Sequence, residues 1–292
     1  MRTLDSTTSL RIAVQKSGRL TDKTLNLLEG IGLKFDDYKR SLLVKCRNFD
    51  LELLLIRDDD IPEYVEDGVC DLGFVGANVA AEDEADVTIL RGLDYGVCHL
   101  ALAAPKNGAI KKVPDCAGKK IATSYPNITG TYFRKKNIDV EIITLSGSVE
   151  IAPRLEIADA ISDLVSTGNT LKANGLVEIE NIFNSETQLV KTNKPLSDGK
   201  LELINKILQR IEGHQQAEKS RYIMMNAPEE SIPEIKKIIP SLKSPTIMPL
   251  ADNGTVAIHT VVPLATFWEV MEQLKDAGAS GIVMLPIESM IL

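Results

Sequence analysis

Short apolar runs alternate with segments of helical periodicity up to about residue 190 of the chain. Leu10–Gln15 predicts a strand, and the leucines and isoleucine of Thr21–Ile31 then recur at helical spacing. Leu51–Ile56 is almost entirely apolar, which is typical of a strand buried on both faces. A helix over Asp59–Asp67 and a strand over Asp71–Val75 continue the series. The alternation predicts a mostly parallel sheet with helices on its faces.

A second alternating block begins near Cys98 and repeats this pattern. Leu176–Val190 then supplies two more strands, whose position allows a return to the first block. Two α/β lobes joined by strand crossovers resemble the bilobal architecture of periplasmic solute-binding proteins. The strands predicted in the second block are His99–Ala104, Lys119–Ser124, Val140–Leu145 and Ile161–Val165, and its helices are Ile128–Lys136, Val149–Leu155 and Asn169–Ala173.

The alternation of predicted strands and helices ends at Lys191–Lys200, a polar stretch that contains proline and glycine. The order of the elements after it is different. A long helix over Leu201–Ser220 carries one apolar stripe. The elements predicted beyond it form a β-α-β-β-α-β series, the ferredoxin-like pattern typical of small regulatory modules. They are, in order, Tyr222–Asn226, Glu229–Ile239, Thr246–Leu250, Thr255–Val262, Pro263–Ala277 and Gly281–Leu285.

These patterns divide the chain into three parts. We predict a first α/β lobe from residues 1–97 and 177–220, a second lobe from residues 98–176, and a C-terminal α+β domain from residues 221–292. The length of 292 residues agrees with this division, because it exceeds what one ordinary core holds and suits two or three domains.

The charge balance narrows the class of function. Acidic residues outnumber basic ones by 41 to 33, so the formal net charge is −8. A non-specific nucleic-acid binder needs a basic surface and is excluded, whereas a few local cations can still hold a small anion. The longest uncharged stretches, such as Tyr95–Pro105, are far shorter than the roughly 18 residues of a membrane helix, and Met1–Leu10 shows no secretion signal.

The positions of cysteine and histidine argue against a disulfide framework and against a zinc site. The cysteines stand singly, without a Cys-x-x-Cys pair, and are typical of reduced thiols in a cytoplasmic protein. The histidines lie far apart, and none has a partner at the spacing of metal ligands. These residues are Cys46, Cys70, Cys98 and Cys116, and His99, His214 and His259.

The end of the predicted strand Ile161–Val165 is the segment most informative for chemistry. The strand runs into Ser166–Thr170, with the sequence Ser-Thr-Gly-Asn-Thr, where a helical pattern begins. Hydroxyl groups, a glycine that permits close approach and free N–H groups at a helix start form a ready cradle for a phosphate. Asp163 suits ribose hydroxyls or a magnesium ion. The alternative is an ordinary strand–turn–helix with serine or threonine as the N-cap.

Two other strand ends carry cations. Lys16, Gly18 and Arg19 follow the first strand, where two positive charges and a glycine can hold a polyanion; a solvated turn is the alternative. Arg57 ends a buried strand, and we expect it to face the cleft of an α/β lobe. We expect the aspartates of Asp58–Asp60 to cap the next helix, because a helix N-terminus favours negative charge.

The amino-acid sequences of these segments resemble the motifs of a known family. Asp163 before a Thr-Gly-x-Thr turn is similar to the phosphoribosyl-pyrophosphate loop of phosphoribosyltransferases, although Ser162 stands where the common type has a second acidic residue. The pattern as a whole resembles the ATP phosphoribosyltransferases. The matching segments are, in order, Gln15–Leu20, Arg57–Pro62, Asp71–Gly76, Thr123–Pro126, Gly147–Glu150, Ala152–Arg154, Asp159–Thr170 and Ala173–Leu176.

The resemblance implies transfer of a phosphoribosyl group from phosphoribosyl pyrophosphate to N1 of ATP adenine, the first step of histidine biosynthesis, with Mg²⁺ as cofactor. It implies Lys16, Arg19 and Arg57 as catalytic cations. Asp163 and Glu150 would contact ribose hydroxyls, and Asp163 is the candidate magnesium ligand. The other substrate contacts predicted are Gly18, Asp71, Tyr125 (stacked on a base), Arg154, Leu164, Val165, Ser166, Thr167, Gly168, Asn169 and Thr170.

The segments Tyr222–Pro228, Ser244–Ile247 and Gly278–Ile282 resemble the C-terminal domain of the long form of this family. The resemblance implies that histidine binds there as a feedback inhibitor, and that AMP inhibits as well. It also implies a homo-oligomer, with dimers assembling into hexamers and no separate regulatory subunit. Turns in a small α+β domain are the alternative for the implied histidine contacts, which are Asn226, Thr246 and Ala279.

Two other functions stay open at the level of sequence. A bilobal α/β protein with an amino-acid-binding tail would also suit a ligand sensor without catalysis, which the missing secretion signal and the lack of a helix-turn-helix pattern disfavour. A phosphoribosyltransferase for another base is the second alternative, which the C-terminal domain disfavours. Formation of an adduct from ATP and phosphoribosyl pyrophosphate separates the three.

Overall fold

The computed structural model describes residues 9–36, 41–239 and 244–291; residues 1–8, most of the segment in which no secretion signal is predicted, lie outside these ranges. By their contacts the described residues form two compact units, one within Met1–Asn26 and Leu33–Leu201, the other within Leu27–Gly32 and Glu202–Leu292. None of the helices in the described ranges combines the length and the apolar surface that a bilayer crossing requires.

Strands and short helices alternate through the first unit, as the hydrophobic pattern predicts. The helices of the two units together are α1 (Thr21–Gly30), α2 (Ile61–Glu66), α3 (Ala77–Glu82), α4 (Pro126–Lys135), α5 (Asn169–Ala173), α6 (Asp198–Glu218), α7 (Ile232–Ile238) and α8 (Leu264–Asp276). The strands are β1 (Leu10–Gln15), β2 (Leu43–Lys45), β3 (Leu51–Ile56), β4 (Leu72–Gly76), β5 (Val87–Gly92), β6 (Cys98–Pro105), β7 (Lys120–Thr123), β8 (Glu141–Thr144), β9 (Ala160–Val165), β10 (Leu176–Ser185), β11 (Thr187–Thr192), β12 (Ser220–Pro228), β13 (Thr246–Pro249), β14 (Thr255–Pro263) and β15 (Ser280–Pro286).

The first sheet has the strand order β2-β3-β1-β4-β11-β5. Its strands β3, β1 and β4 run parallel, and β1 pairs with β3 from Leu10 beside Leu51 to Gln15 beside Ile56. Every residue of β4 is buried, as expected for a central parallel strand covered on both faces. β11 runs antiparallel between β4 and β5.

The second sheet has the order β10-β6-β9-β7-β8. β7 is parallel to β8 and β9, whereas β6 is antiparallel to β9 and β10. Adjacent residues of β6 face opposite sides, so Ala101 packs into one apolar cluster with Ile161, and Leu102 packs into another with Phe133. Two α/β lobes therefore make up the first unit, which confirms the predicted fold class for this region.

Three details of this region differ from prediction. β10 pairs with β6, so residues 177–185 lie in the second sheet, and the chain returns to the first sheet only at β11. The predicted helix Val149–Leu155 is a 3₁₀ turn over Val149–Ile151 followed by turns, because Pro153 lacks the N–H that a longer helix needs. α3 and β5 were not predicted, since both are short and have no clear hydrophobic period.

The C-terminal domain contains a four-stranded sheet of order β13-β14-β12-β15 with antiparallel neighbours. α7 and α8 connect its strands in the predicted β-α-β-β-α-β series. Met225, Ile258 and Leu274 belong to one buried cluster on the side of the sheet that the helices cover. The ferredoxin-like fold predicted for this domain is confirmed.

Candidate active site

The carboxyl ends of the parallel strands β1, β3 and β4 lie along one edge of the first sheet. Lys16 follows β1, and its backbone N–H donates to the carbonyl of Ile56, the last residue of β3, at 2.7 Å. Arg57 comes directly after Ile56. The cations of two separate sequence segments are therefore neighbours, and Lys16, Arg19 and Arg57 are all exposed.

The loop from Lys16 to Leu20 is shaped by the buried side chain of Gln15. The Gln15 Oε1 atom accepts a hydrogen bond from the Leu20 N–H at 3.1 Å. Gly18 has a φ of +145°, and a Cβ at this position would lie 2.5 Å from Gln15 Nε2. Glycine is thus required at position 18 for the loop to close over the glutamine.

Arg57 is loosely held. Its guanidinium lies 3.6 Å from Asp59, and the arginine side chain is 79% exposed, so the pair contributes little to stability. The cation is therefore available to an anionic ligand. Asp60, at the N-cap of α2, makes no side-chain capping hydrogen bond, so the predicted capping by the aspartates is limited to negative charge near a helix start.

The Ser166–Thr170 loop occupies the carboxyl end of β9. Gly168 caps α5 with φ +72°, a left-handed conformation that favours glycine, and no atom lies within 4 Å of the position its Cβ would take. The side chains of Ser166, Thr167, Asn169 and Thr170 are exposed, and none of them hydrogen-bonds another residue in the described part of the chain. Val165 is buried in the core, so it can offer a ligand only its backbone.

Asp163 lies partly buried in β9 and accepts a hydrogen bond from the Leu164 N–H at 2.8 Å. Burial raises the pKa of this carboxyl above its usual 3.8, and the hydrogen bond opposes that rise. Of the neighbouring charges, Glu150 raises the pKa and Arg19 lowers it. The charges of Glu150 and of Arg19, a cation of the first lobe, therefore both act on the Asp163 carboxylate.

Tyr125 connects the two lobes. Its hydroxyl accepts a hydrogen bond from Asn78 Nδ2 at 3.2 Å. Burial raises the pKa of Tyr125 to about 12, while the Asn78 bond lowers it and the charges of Asp163 and Arg19 act on it in opposite directions. Asn78 of the first lobe thus bonds Tyr125 of the second, and the charges of Arg19 and Asp163, one from each lobe, both act on the Tyr125 hydroxyl.

Three further residues at this junction, none of them predicted from the sequence, form hydrogen bonds beside Tyr125. Ser185 Oγ donates to Asn78 Oδ1 at 2.7 Å and accepts from the Asn78 N–H at 3.1 Å. The Glu82 carboxylate accepts from the N–H groups of Asn127 and Ile128 at 2.8 and 3.0 Å. A lone polar side chain in the otherwise apolar stretch after β4 was the available signal for Asn78; nothing in the sequence pairs it with the other two.

Asp71 lies away from the cleft with its carboxylate paired within the fold, and its contact with substrate stays a prediction without support from this geometry. It precedes β4, whereas the carboxyl end of that strand is the end that reaches the cleft. Its buried carboxylate accepts from Lys200 Nζ at 2.8 Å on both oxygens and from the Arg11 N–H at 2.8 Å. Asp71 is therefore half of a structural ion pair at the opposite edge of the sheet.

The two glycines of the same motif serve different contacts. A Cβ at Gly73 would lie 2.8 Å from Ile61 and Val65 of α2, so this glycine permits close packing of a helix on a strand. A Cβ at Gly76 would lie 2.6 Å from Asn78 Oδ1. Gly76 therefore makes room for a residue of the lobe junction.

A magnesium ion fits the donor set only with help from a substrate. Within the described ranges, no three or more histidine, cysteine or acidic side chains gather around one point. Magnesium is commonly held by one or two carboxylates together with substrate phosphates, and Asp163 with Glu150 nearby supplies that minimum. Arg154 is exposed after the Val149–Ile151 turn, and its substrate contact stays a prediction.

Of the three predicted histidine contacts, two share a face of the C-terminal sheet. Asn226 and Thr246 are exposed and, by the register through β14, project from the same side. Ala279 is buried in the core cluster on the helix-covered side. Because Ser280 pairs with Asn226, the backbone of Ala279, rather than its side chain, is the part that a ligand beside Asn226 could contact.

Two family profiles match the chain. The profile described as HisG, ATP phosphoribosyltransferase, matches residues 57–213, which is more than half of the 292 residues. The profile described as HisG, C-terminal domain, matches residues 217–289.

Named relatives are similar over nearly the whole chain. The ATP phosphoribosyltransferases of Phocaeicola vulgatus and Bacteroides thetaiotaomicron are each 46% identical over 283 residues, 97% of this chain and 100% of theirs. That of Cytophaga hutchinsonii is 44% identical over 284 residues, 97% of this chain and 99% of its own. The solved ATP phosphoribosyl transferase (HisG:HisZ) complex from Thermotoga maritima has a chain that is 33% identical with a TM-score of 0.59, covering 70% of this chain and 98% of that one.

Proposed function

The chain belongs to the ATP phosphoribosyltransferase family, and from this premise we infer the reaction of its cleft. The enzyme transfers the phosphoribosyl group of phosphoribosyl pyrophosphate to N1 of the adenine of ATP, giving phosphoribosyl-ATP and pyrophosphate. This reaction is the first step of histidine biosynthesis.

The observation that carries the inference is the hydrogen bond from Asn78 of the first lobe to the Tyr125 hydroxyl of the second, on which the charges of Arg19 and Asp163 also act. It brings the cationic edge of one lobe to the hydroxyl-rich Ser166–Thr170 loop of the other. Both substrates carry several phosphates and a ribose, so they need cations, hydrogen-bond donors and a carboxylate at one place. This cleft supports that combination.

The reaction requires stabilisation of the charge that develops in the transition state, and it does not require a strong base. Adenine N1 already has a free lone pair, so no residue is assigned as a general base. Positive charge develops on the ribose ring and negative charge on the departing pyrophosphate. Fixed cations and N–H groups stabilise the pyrophosphate, and two lobes can hold the reacting atoms in line.

The proposed roles follow from where each group lies. The Ser166–Thr170 loop is exposed, carries no competing side-chain hydrogen bonds in the described structure and suits the 5′-phosphate. Asp163 and Glu150 suit the ribose hydroxyls, since a carboxylate accepts from both. Lys16, Arg19 and Arg57 would hold the pyrophosphate and the phosphates of ATP.

Magnesium is the cofactor we propose, with Asp163 as its protein ligand. When bound, the ion would neutralise charge on the leaving pyrophosphate. The raised pKa of Asp163 supports this choice, because burial disfavours its negative charge and a nearby cation would compensate it.

The C-terminal domain is proposed as the site of feedback inhibition by histidine, with AMP as a second inhibitor. The Thermotoga maritima chain, which covers 70% of this one, occurs in a complex with HisZ, whereas residues 217–289 of this chain match a domain of their own. We therefore propose that no separate regulatory subunit is needed, and that dimers assemble into homohexamers. A cytoplasmic location and the other predicted domain boundaries stay part of this proposal.

Direct formation of phosphoribosyl-ATP tests the function. The protein is mixed with ATP, phosphoribosyl pyrophosphate and Mg²⁺, and product is followed by absorbance and mass spectrometry. Arg57→Ala is expected to lower kcat/KM by about 100-fold, because the variant lacks one fixed positive charge that stabilises the leaving pyrophosphate. Arg134→Ala, at the far end of α4, is the matched control and should leave kcat/KM unchanged.

Each other outcome points to one alternative. Binding of substrates without any product, at every salt and metal concentration tried, would support the sensor. Product from another purine or pyrimidine base, with ATP inert, would support a different phosphoribosyltransferase. Full activity of Arg57→Ala would overturn the role given to this arginine.

A further inference from the structure

The short helix α3 belongs to the first lobe but bonds to the second. Asn78 and Glu82 are four residues apart and so lie on one face of α3. Both reach the Tyr125–Ile128 turn, where α4 begins after β7. The chain itself crosses between the lobes after β5 and after β10. The α3 bonds are a further connection, and they lie beside the cleft.

The orientation of the Asn78 amide follows from its partners. The Asn78 N–H donates to Ser185 Oγ, so the Ser185 proton is directed at Asn78 Oδ1. This leaves the amide NH₂ group to donate to the Tyr125 hydroxyl oxygen. Asn78 is only 6% exposed, and its side chain is therefore fixed by hydrogen bonds on both sides.

The consequence for Tyr125 is a defined polarity. Its oxygen accepts from Asn78, so its own proton is free to be donated elsewhere. Asp163, Cys98 and Arg19 act electrostatically on this hydroxyl. A phosphate, ribose or adenine acceptor bound there would meet a hydroxyl donor that is already oriented.

Glu82 holds the same turn from the other end of α3. One carboxylate oxygen accepts the Asn127 N–H and the other accepts the Ile128 N–H, at the start of the ten-residue helix α4. Asn127 Nδ2 returns a bond to the Glu82 carbonyl at 2.8 Å. Negative charge is favourable at this helix end, so the contact is both directional and electrostatic.

Gly76 is an independent sign that the junction is built around Asn78. A Cβ at this position would lie 2.6 Å from Asn78 Oδ1, the atom that receives the Ser185 proton. The backbone of Gly76 has φ −66°, which other residues also adopt. The need for glycine here arises from the Asn78 side chain and not from the backbone.

We propose that Asn78 and Glu82 are positioning residues for phosphoribosyl transfer: Asn78 sets the Tyr125 hydroxyl as a hydrogen-bond donor to bound substrate, and Glu82 holds the turn that carries it. The proposal rests on the proposed function for the identity of the substrate. The connection between the lobes is a property of the described structure and is tested separately.

Donor polarity is tested by Asn78→Asp and Tyr125→Phe. The new carboxylate keeps the size of the side chain and the Ser185 contacts, but it would accept the Tyr125 proton and so consume the donor. Each variant is expected to raise KM for phosphoribosyl pyrophosphate or ATP about threefold to tenfold, with little change in kcat. The double variant should lose no more than either single variant.

The turn is tested by Glu82→Gln, which leaves one of the two N–H groups without its acceptor. Hydrogen–deuterium exchange at Asn127 and Ile128 is expected to quicken, and KM to rise. Asp115→Asn is the matched control, because Asp115 accepts the backbone N–H groups of Lys111 and Lys112 in the same way elsewhere in the second lobe. It should quicken only local exchange.

The results separate the two proposals. Wild-type protein that forms no phosphoribosyl-ATP would overturn the proposed function, while exchange in Glu82→Gln still decides the connection between the lobes. If Tyr125→Phe and Asn78→Asp both keep the kcat and the KM of the wild type, the positioning role is overturned and the proposed function is not. Additive losses in the double variant would also contradict it, because they would show that Asn78 does not act through Tyr125.

Discussion

Two aspartates that the sequence predicts as substrate contacts have different roles in the fold, and the surroundings of each carboxylate decide its role. Asp71 is buried and has Lys200 on both carboxylate oxygens. Asp163 is partly buried, has one backbone donor, and has Glu150 as a neighbour of like charge. The first is compensated within the fold, whereas the second retains a charge that a ligand or cation would compensate.

Asp71→Asn tests the structural role. Lys200 is largely buried, and removing the Asp71 charge leaves its ammonium group without a partner. We therefore expect the free energy of unfolding to fall by about 3 kcal/mol. Urea unfolding measures this change, and KM for both substrates should not move. Glu202→Gln is the control, since it breaks the exposed pair with Lys206 and should change stability little. A higher KM with intact stability would restore Asp71 to the substrate site.

Asp163→Asn tests the functional charge through pH. A raised pKa means that the folded protein holds this proton to a higher pH than the unfolded chain does, so ionisation of Asp163 costs stability as pH rises through the folded pKa. We therefore expect the variant to melt higher than wild type at pH 7 and equally at pH below 3.8. The acid limb of the wild-type kcat/KM profile should disappear in the variant, at much lower activity. An unchanged acid limb would show that another group titrates there.

At the scale of elements, the phosphate loop and the helix after it depend on a backbone conformation. Gly168 starts α5 and Gly175 follows it, both with positive φ, at +72° and +70°. No atom lies within 4 Å of the Cβ position of either residue, so alanine would strain both backbones alike without a clash. The pair therefore separates backbone strain from a loss of ligand contact.

Gly168→Ala and Gly175→Ala are expected to cost about 1 kcal/mol of stability each, because both force alanine into a left-handed conformation. Only Gly168→Ala should also raise KM for phosphoribosyl pyrophosphate, by about tenfold, because its methyl group would lie where a phosphate approaches the loop. Thermal unfolding and steady-state kinetics measure the two effects. Equal KM values in the two variants would remove Ser166–Thr170 from the phosphate site.

Elements with a strong period were predictable, and short ones were not. β1, β3 and β9 match their predicted bounds to within a residue, because a run of apolar residues in a buried strand leaves little choice. α3 spans only Ala77–Glu82 and was missed, although it carries both residues that bond across the lobes. Its conformation is stabilised by tertiary contacts rather than by a local pattern.

At the scale of the whole molecule, a protein with a net charge of −8 binds, by our proposal, two polyanions. The negative net charge is compatible with this binding, because three cations lie at neighbouring strand ends. The local charge of a pocket, and not the total charge of the protein, acts on a bound ligand. The second unit, which contains the C-terminal domain, is where regulation is expected. Inhibition by histidine requires that histidine bind two states of the enzyme with different affinity.

Asn226→Asp and Thr246→Val test that regulation in the full chain. A carboxylate at 226 should strengthen histidine inhibition, because it would pair with the ammonium group of the ligand, whereas Thr246→Val should weaken it about tenfold by loss of a hydroxyl contact. Basal kcat should not change. By linkage, histidine should weaken substrate binding by the same factor as substrate weakens histidine binding, which calorimetry measures. Inhibition that is identical in all three proteins would place the histidine site elsewhere.

The sequence by itself determined the two α/β lobes, the ferredoxin-like C-terminal domain, the family and most candidate residues of the cleft. It could do so because hydrophobic periods, glycines and the Ser-Thr-Gly-Asn-Thr loop are local features, read along the chain without knowing what packs beside them. Strand ends that follow apolar runs also identified the cations at Lys16, Arg19 and Arg57.

Tertiary structure alone decided three matters: the sheet that receives β10, the edge on which Asp71 lies, and the pairing of Asn78 and Glu82 with the turn at Tyr125. Each depends on strand order or on contacts between residues more than forty positions apart in the chain. No local period encodes such contacts, because the free energy that selects them comes from burial and hydrogen bonding between segments that meet only when the chain has folded.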